Sequence, residues 1–125
     1  MMIKKTIILT STYYKPHFGG IENSLDFLAQ EYQKLGYKVI ILCSDAGLNK
    51  KDRLVAFEKE DNDIEIHRFK SYFPKIYLDY FLKYAIDVKR VKKKIKQFKK
   101  ELNVEAIIAR SPETVLGSVL SKSKV

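Results

Sequence analysis

Cysteine is nearly absent: Cys43 stands alone in 125 residues. A lone cysteine cannot close an internal disulfide, which excludes a disulfide scaffold and places the chain in a reducing cytoplasm. Long apolar runs are missing too. None approaches the roughly 20 residues that a transmembrane helix needs. The stretch before Leu9 carries two lysines and a short apolar run with no small-residue cleavage site, so it does not read as a secretory signal. No repeat, low-complexity tract or linker divides the sequence, and residues 1–125 read as one domain.

Several chemical signatures are also missing. There is no G-x-G-x-x-G, so Asp45, placed where such folds hold a ribose, gives no ordinary dinucleotide site. No G-K-[ST] follows the glycines, which excludes a P-loop. Ser11, Ser44 and Ser111 each end a strand without a G-x-S-x-G elbow, so hydrolase chemistry has no support. His17 and His67 lack a second ligand at metal spacing. His67 reads as a packed or exposed strand histidine, and Cys43 as a small buried hydrophobe. No catalytic residue, metal or cofactor is expected from these residues.

What is present is an excess of positive charge. Lysine and arginine number 24 against 15 acids, a formal net charge of +9. Such a balance attracts anions: nucleic acid, an anionic membrane or a phosphorylated substrate. The 46% hydrophobic fraction is that of an ordinary globular protein, with enough chain for a core.

The apolar pattern then sets the elements. Residues 3–10 read as a strand, with Ile7-Ile8-Leu9 continuous as in a strand covered on both faces. Residues 11–20 form a loop marked by Pro16 and Gly19-Gly20. Ile21, Leu25, Leu28, Tyr32 and Leu35 recur at helical spacing and predict a helix stopped by Gly36. A second buried strand follows at 38–43. Beyond it come a loop, a short strand near 54–58, a turn at Asp61-Asn62-Asp63 and an alternating strand at 64–69. Tyr77, Phe81, Tyr84, Val88, Val91, Ile95, Phe98 and Leu102 mark a long helix. Residues 104–109 give another strand, and Ser111-Pro112 opens a helix to about residue 121. Strands alternating with helices define an α/β fold: a Rossmann-like parallel sheet flanked by helices.

The loop Tyr14-Lys15-Pro16-His17-Phe18-Gly19-Gly20-Ile21-Glu22 joins a strand's carboxyl end to a helix's amino end. Open α/β sheets bind ligands at that edge. Glycines permit close backbone approach, and the unpaired N–H groups of a helix start favour an anion such as a diphosphate. The following residues continue as Leu28-Ala29, Leu35-Gly36-Tyr37-Lys38-Val39 and Ile40-Ile41-Leu42. Together they resemble the amino-terminal domain of family 4 glycosyltransferases of the GT-B fold. The likeness is strongest over residues 7–44, and Val104 to Arg110 looks like a later core strand of that domain.

The resemblance implies a sugar transferase built from two Rossmann-like domains. The amino-terminal one binds mainly the acceptor, a glycan or a lipid-linked molecule. The backbone of Gly19 and Gly20 would face the diphosphate of a nucleotide-sugar donor, a substrate rather than a cofactor. Tyr14, His17, Glu22 and Arg110 would lie near the acceptor. Glu22 in the first helical turn has an equal structural role, complementing the helix dipole. The family's donor-binding domain with its paired glutamates, and a later histidine, have no counterpart here. The chain therefore reads as an incomplete amino-terminal GT-B domain, inactive alone: a truncated gene product, a fragment of a longer protein, or half of a split enzyme whose donor-binding domain is separate.

Residues 89–100 carry eight bases and no acid: Lys89, Arg90, Lys92, Lys93, Lys94, Lys96, Lys99 and Lys100. A solvated outer face accounts for them as well as attraction to anionic lipid headgroups does. The second reading makes the chain peripheral on the inner face of a cell membrane and offers an alternative function, a non-catalytic module binding anionic surfaces. Nucleic acid is disfavoured, because no helix-turn-helix, zinc spacing or RNP-like motif accompanies the lysines.

Overall fold

The continuous apolar runs become the inner strands of one sheet. A computed structural model describes residues 5–15, 19–46, 53–60, 63–71, 79–110, 115–116 and 118–119. In chain order the elements are β1 (Thr6–Thr10), α1 (Gly20–Lys34), β2 (Lys38–Ser44), β3 (Phe57–Lys59), β4 (Glu65–Phe69), α2 (Asp79–Glu101) and β5 (Val104–Ala109). The strand order is β3-β4-β2-β1-β5. All neighbours pair in parallel except β3, which runs antiparallel to β4.

Side-chain alternation splits the core between the two faces. Ile7, Leu9, Val39, Ile41, Cys43, Ile64 and Ile66 pack with Leu25 and Ala29 of α1. Ile8, Ile40, Leu42 and Phe69 pack with Val91, Ile95 and Phe98 of α2. Each such fully buried aliphatic or aromatic side chain contributes roughly 1.5–3 kcal/mol of transfer free energy. The helices thus cover opposite faces, and the chain steps from β1 to β2 in one direction and from β4 to β5 in the other. This is an α/β, Rossmann-like, doubly wound arrangement.

The end of α1 shows how local sequence fixes a boundary. Gly36 has φ of 95°, a conformation costly for a residue with a Cβ. Its N–H donates to the Gln33 carbonyl at 3.0 Å, and that of Tyr37 to the Tyr32 carbonyl at 3.2 Å. This is a Schellman closure. The rings of Tyr32 and Tyr37 meet edge to face across it, 6.0 Å apart. Gly36→Ala is expected to destabilise the protein by about 1–2 kcal/mol, read as a lowered urea midpoint at unchanged slope.

Some sequence expectations shift. The short strand lies at 57–59 rather than 54–58, preceded by an isolated bridge between Ala46 and Arg53. Leu35 is not in the apolar stripe. It caps α1 and is 73% exposed, while Ala29 takes a core position. Residues 115–116 and 118–119 are helical, as the expected final helix requires. Ser111, Pro112, Pro74, Tyr77 and the Asp61-Asn62 pair lie outside the described residues.

Candidate functional site

The order of the sheet reverses at β1, whose neighbours β2 and β5 are reached by crossovers on opposite faces. Open α/β sheets bind ligands beyond the carboxyl ends of the strands at such a reversal. At that edge Arg110, the residue after β5, comes beside β1. The Arg110 N–H donates to the Thr10 carbonyl at 2.9 Å. Its guanidinium crosses to α1 and donates to Ser24 Oγ at 2.8 Å. Residues far apart in sequence are thereby joined beside the start of α1.

Gly19 caps α1 with an extended backbone and Gly20 is its first residue. The Gly19 carbonyl accepts the Asn23 N–H at 3.1 Å. A Cβ at Gly19 would lie 2.6 Å from Glu22 Oε2, so the Glu22 carboxylate folds back over this glycine. A Cβ at Gly20 would meet nothing within 4 Å. Packing among the described residues does not require glycine at 20.

The other expected acceptor residues are placed differently from one another. Tyr14 is 1% exposed, its ring in the α1-side core. Its hydroxyl faces Asp26 Oδ1 and Glu60 Oε1, each at 3.2 Å. Burial, then the Glu60 and Asp26 carboxylates, push the phenol well above its ordinary range. Tyr14 therefore stays neutral and ties the glycine loop to α1 and to the segment after β3. Lys15 joins the same cluster, 3.3 Å from Asp26. Glu22 and Arg110 flank the first turns of α1, whereas His17 lies outside the described residues.

A buried polar network at the carboxyl ends of β2 and β4 was not anticipated from the sequence. Asp45 Oδ1 accepts the Ser71 N–H at 2.9 Å, and both its oxygens accept from Arg53 Nη1 at 3.0 and 2.9 Å. Ser71 Oγ donates to Asp87 Oδ2 at 3.0 Å, and Lys83 Nζ donates to the same oxygen at 2.6 Å. Asp87 is fully buried. The network pins α2 to the sheet, and it occupies the Asp45 carboxylate. The Lys83–Asp87 pair, four residues apart on a helix, was the signal available in the sequence.

The remaining sequence candidates are structural or superficial. His67 is packed between the rings of Phe57 and Phe98, 4.9 Å from each, with Nε2 2.9 Å from Glu65. Cys43 is fully buried, and burial pushes its thiol up to about 12 against the opposing pull of Arg68. On α2, Val88, Val91, Ile95 and Phe98 face inward. Lys89, Lys92, Lys93, Lys96, Lys99 and Lys100 line an outer groove of about 720 Å³. Arg90 turns instead to the Lys70 carbonyl. Among the described residues no helix is long and apolar enough to cross a membrane.

The class defined by this geometry is an open α/β sheet whose strand order reverses at β1. Among curated proteins, a 39-residue stretch is 38% identical to a phosphatidylinositol N-acetylglucosaminyltransferase subunit from Arabidopsis thaliana. The match covers 31% of this chain and 9% of that protein. No family model and no solved structure matches the chain.

Proposed function

We propose that this chain is the amino-terminal, acceptor-side part of a GT-B glycosyltransferase of family 4. The parent activity is transfer of a sugar from a nucleotide-sugar donor to a glycan or lipid-linked acceptor. A donor-binding domain, in the same protein or in a partner, completes the site. The observation that carries the reading is that a Cβ at Gly20, at the amino end of α1, would meet no described residue, one turn before the Ser24–Arg110 contact. A diphosphate there would meet unpaired N–H groups and the favourable end of the helix dipole, with one guanidinium close by. The short likeness to one component of a sugar transferase supports the same reading. Tyr14 then acts through the shape of the loop, while Glu22, Arg110 and His17 are the side chains offered to the acceptor. The test is sugar transfer from a nucleotide sugar by protein immunoprecipitated from its source cells, compared with its Gly20→Val variant. Precipitates without transfer, or transfer indifferent to the substitution, overturn the reading.

The lysine groove on α2 favours a second reading, a cytoplasmic protein held at the inner face of a membrane by its anionic lipids. Each base near such a surface contributes about 1 kcal/mol. Charge reversal at Lys92, Lys93 and Lys96 is expected to abolish co-flotation with phosphatidylserine vesicles at physiological salt. Unchanged flotation removes this reading and leaves the lysines as a solvated face.

A further inference from the structure

A second cavity lies away from the α2 lysines, beside the antiparallel edge of the sheet. Its volume is about 700 Å³, a size suited to a small organic ligand. Lys15, Arg53, Lys59 and Arg68 line it with Glu58 and Glu60, and from outside the lining Asp26 meets Lys15 and Asp45 meets Arg53. Three of these cations come from the carboxyl ends of three adjacent parallel strands. Lys15 follows β1, Arg53 follows β2, and Arg68 is the penultimate residue of β4. Leu54, Val55 and Ile66 add an apolar wall.

Arg68 is the unusual member. It is 4% exposed, a rare state for a guanidinium, and its Nη atoms donate to the carbonyls of Val55 and Lys15 and to Glu58. Its Nε finds no acceptor among the described residues. A buried cation that its one carboxylate partner, itself half exposed, matches only at the rim leaves a positive field in the cavity. Low-dielectric walls strengthen that field.

We propose that this cavity binds the phosphoryl group of a small phosphomonoester, with the phosphate between Lys15, Arg53 and Arg68 and the organic part against Leu54 and Val55. Cations converging from three strands suit an anion with several oxygens, and guanidinium forks match phosphate geometry. The site does not rest on the transferase reading: it uses neither Gly20 nor Arg110.

The experiment is an NMR titration of the whole chain with inorganic phosphate, glycerol 3-phosphate and dihexanoyl phosphatidic acid, with chloride holding ionic strength constant. Saturable shifts are expected at Lys15, Arg53 and Arg68. Lys15→Gln and Arg53→Gln should each weaken binding roughly tenfold. Glu58→Gln, which removes a competing carboxylate, should strengthen it several-fold, a change that damage to the fold cannot mimic. Phosphatidic acid displacing glycerol 3-phosphate from the same resonances assigns a lipid source, and its failure to do so assigns a soluble one. Shifts confined to the α2 lysines, or affinities unmoved by all three substitutions, overturn the proposal.

Discussion

Asp87→Ala is expected to cost the protein about 3–5 kcal/mol, the loss that follows when one partner of a buried ion pair is removed. Asp87 is fully buried, and its Oδ2 holds both Lys83 Nζ and Ser71 Oγ. Alanine leaves an ammonium 19% exposed with one of its two partners gone. It also takes away the acceptor of the Ser71 hydroxyl, which keeps only the Lys83 ammonium, and the Ser71 backbone anchors Asp45 and through it Arg53. Set against a typical total of about 5–15 kcal/mol, such a loss should leave the chain marginal at room temperature. The check is urea unfolding followed by circular dichroism. The double variant Lys83→Met, Asp87→Leu should regain much of the deficit, because a packed apolar pair leaves no uncompensated charge. A single-variant loss under about 1 kcal/mol would contradict the network's role.

Gly20→Val is expected to do the opposite, leaving stability within about 0.5 kcal/mol while lowering transfer by the complete enzyme a hundredfold or more. The two halves of this expectation come from one observation. A Cβ at residue 20 meets no atom of the described chain, so folding tolerates the isopropyl group. The same group fills the space through which a diphosphate would reach the first N–H groups of α1. Thermal unfolding of the variant and a transfer assay on equal amounts of protein separate the halves. Lost stability with retained transfer would mean that Gly20 serves the fold.

Much of this fold is written in local pattern. Ile7-Ile8-Leu9 and Val39-Ile40-Ile41-Leu42 are apolar without interruption because helices cover both faces, and both runs are inner strands. Gly36 marks the end of α1 because only that closure needs a left-handed residue there. The failures also have physical causes. Phe57-Glu58-Lys59 is exposed throughout and carries no burial pattern, so β3 exists only through its ladder with β4. Leu35 matches the stripe by spacing, but the chain leaves the helix at that residue.

The site was legible where it is local and illegible where it is assembled. The glycine pair at the strand-to-helix junction is a contiguous motif. The Arg110–Ser24 bridge needs the register of β5 on β1, and the Tyr14–Glu60 contact spans 46 residues. For Asp45 the sequence shows a carboxylate after a strand, with no G-x-G-x-x-G to give it a ribose role. It does not show that Arg53 and the Ser71 N–H already hold it.

Cys43 lies in the middle of the sheet, opposite Arg68 in the β2–β4 register and with no exposed surface. Because it is the chain's one thiol, a single covalent event reports on that place alone. With its ionisation pushed to about 12, the native thiol is a poor nucleophile as well as an inaccessible one. Alkylation therefore counts the moments when the centre of the sheet comes apart, and its rate gauges opening at the core. A ligand that binds the folded sheet would slow that clock, so candidate ligands can be ranked by how far they do so.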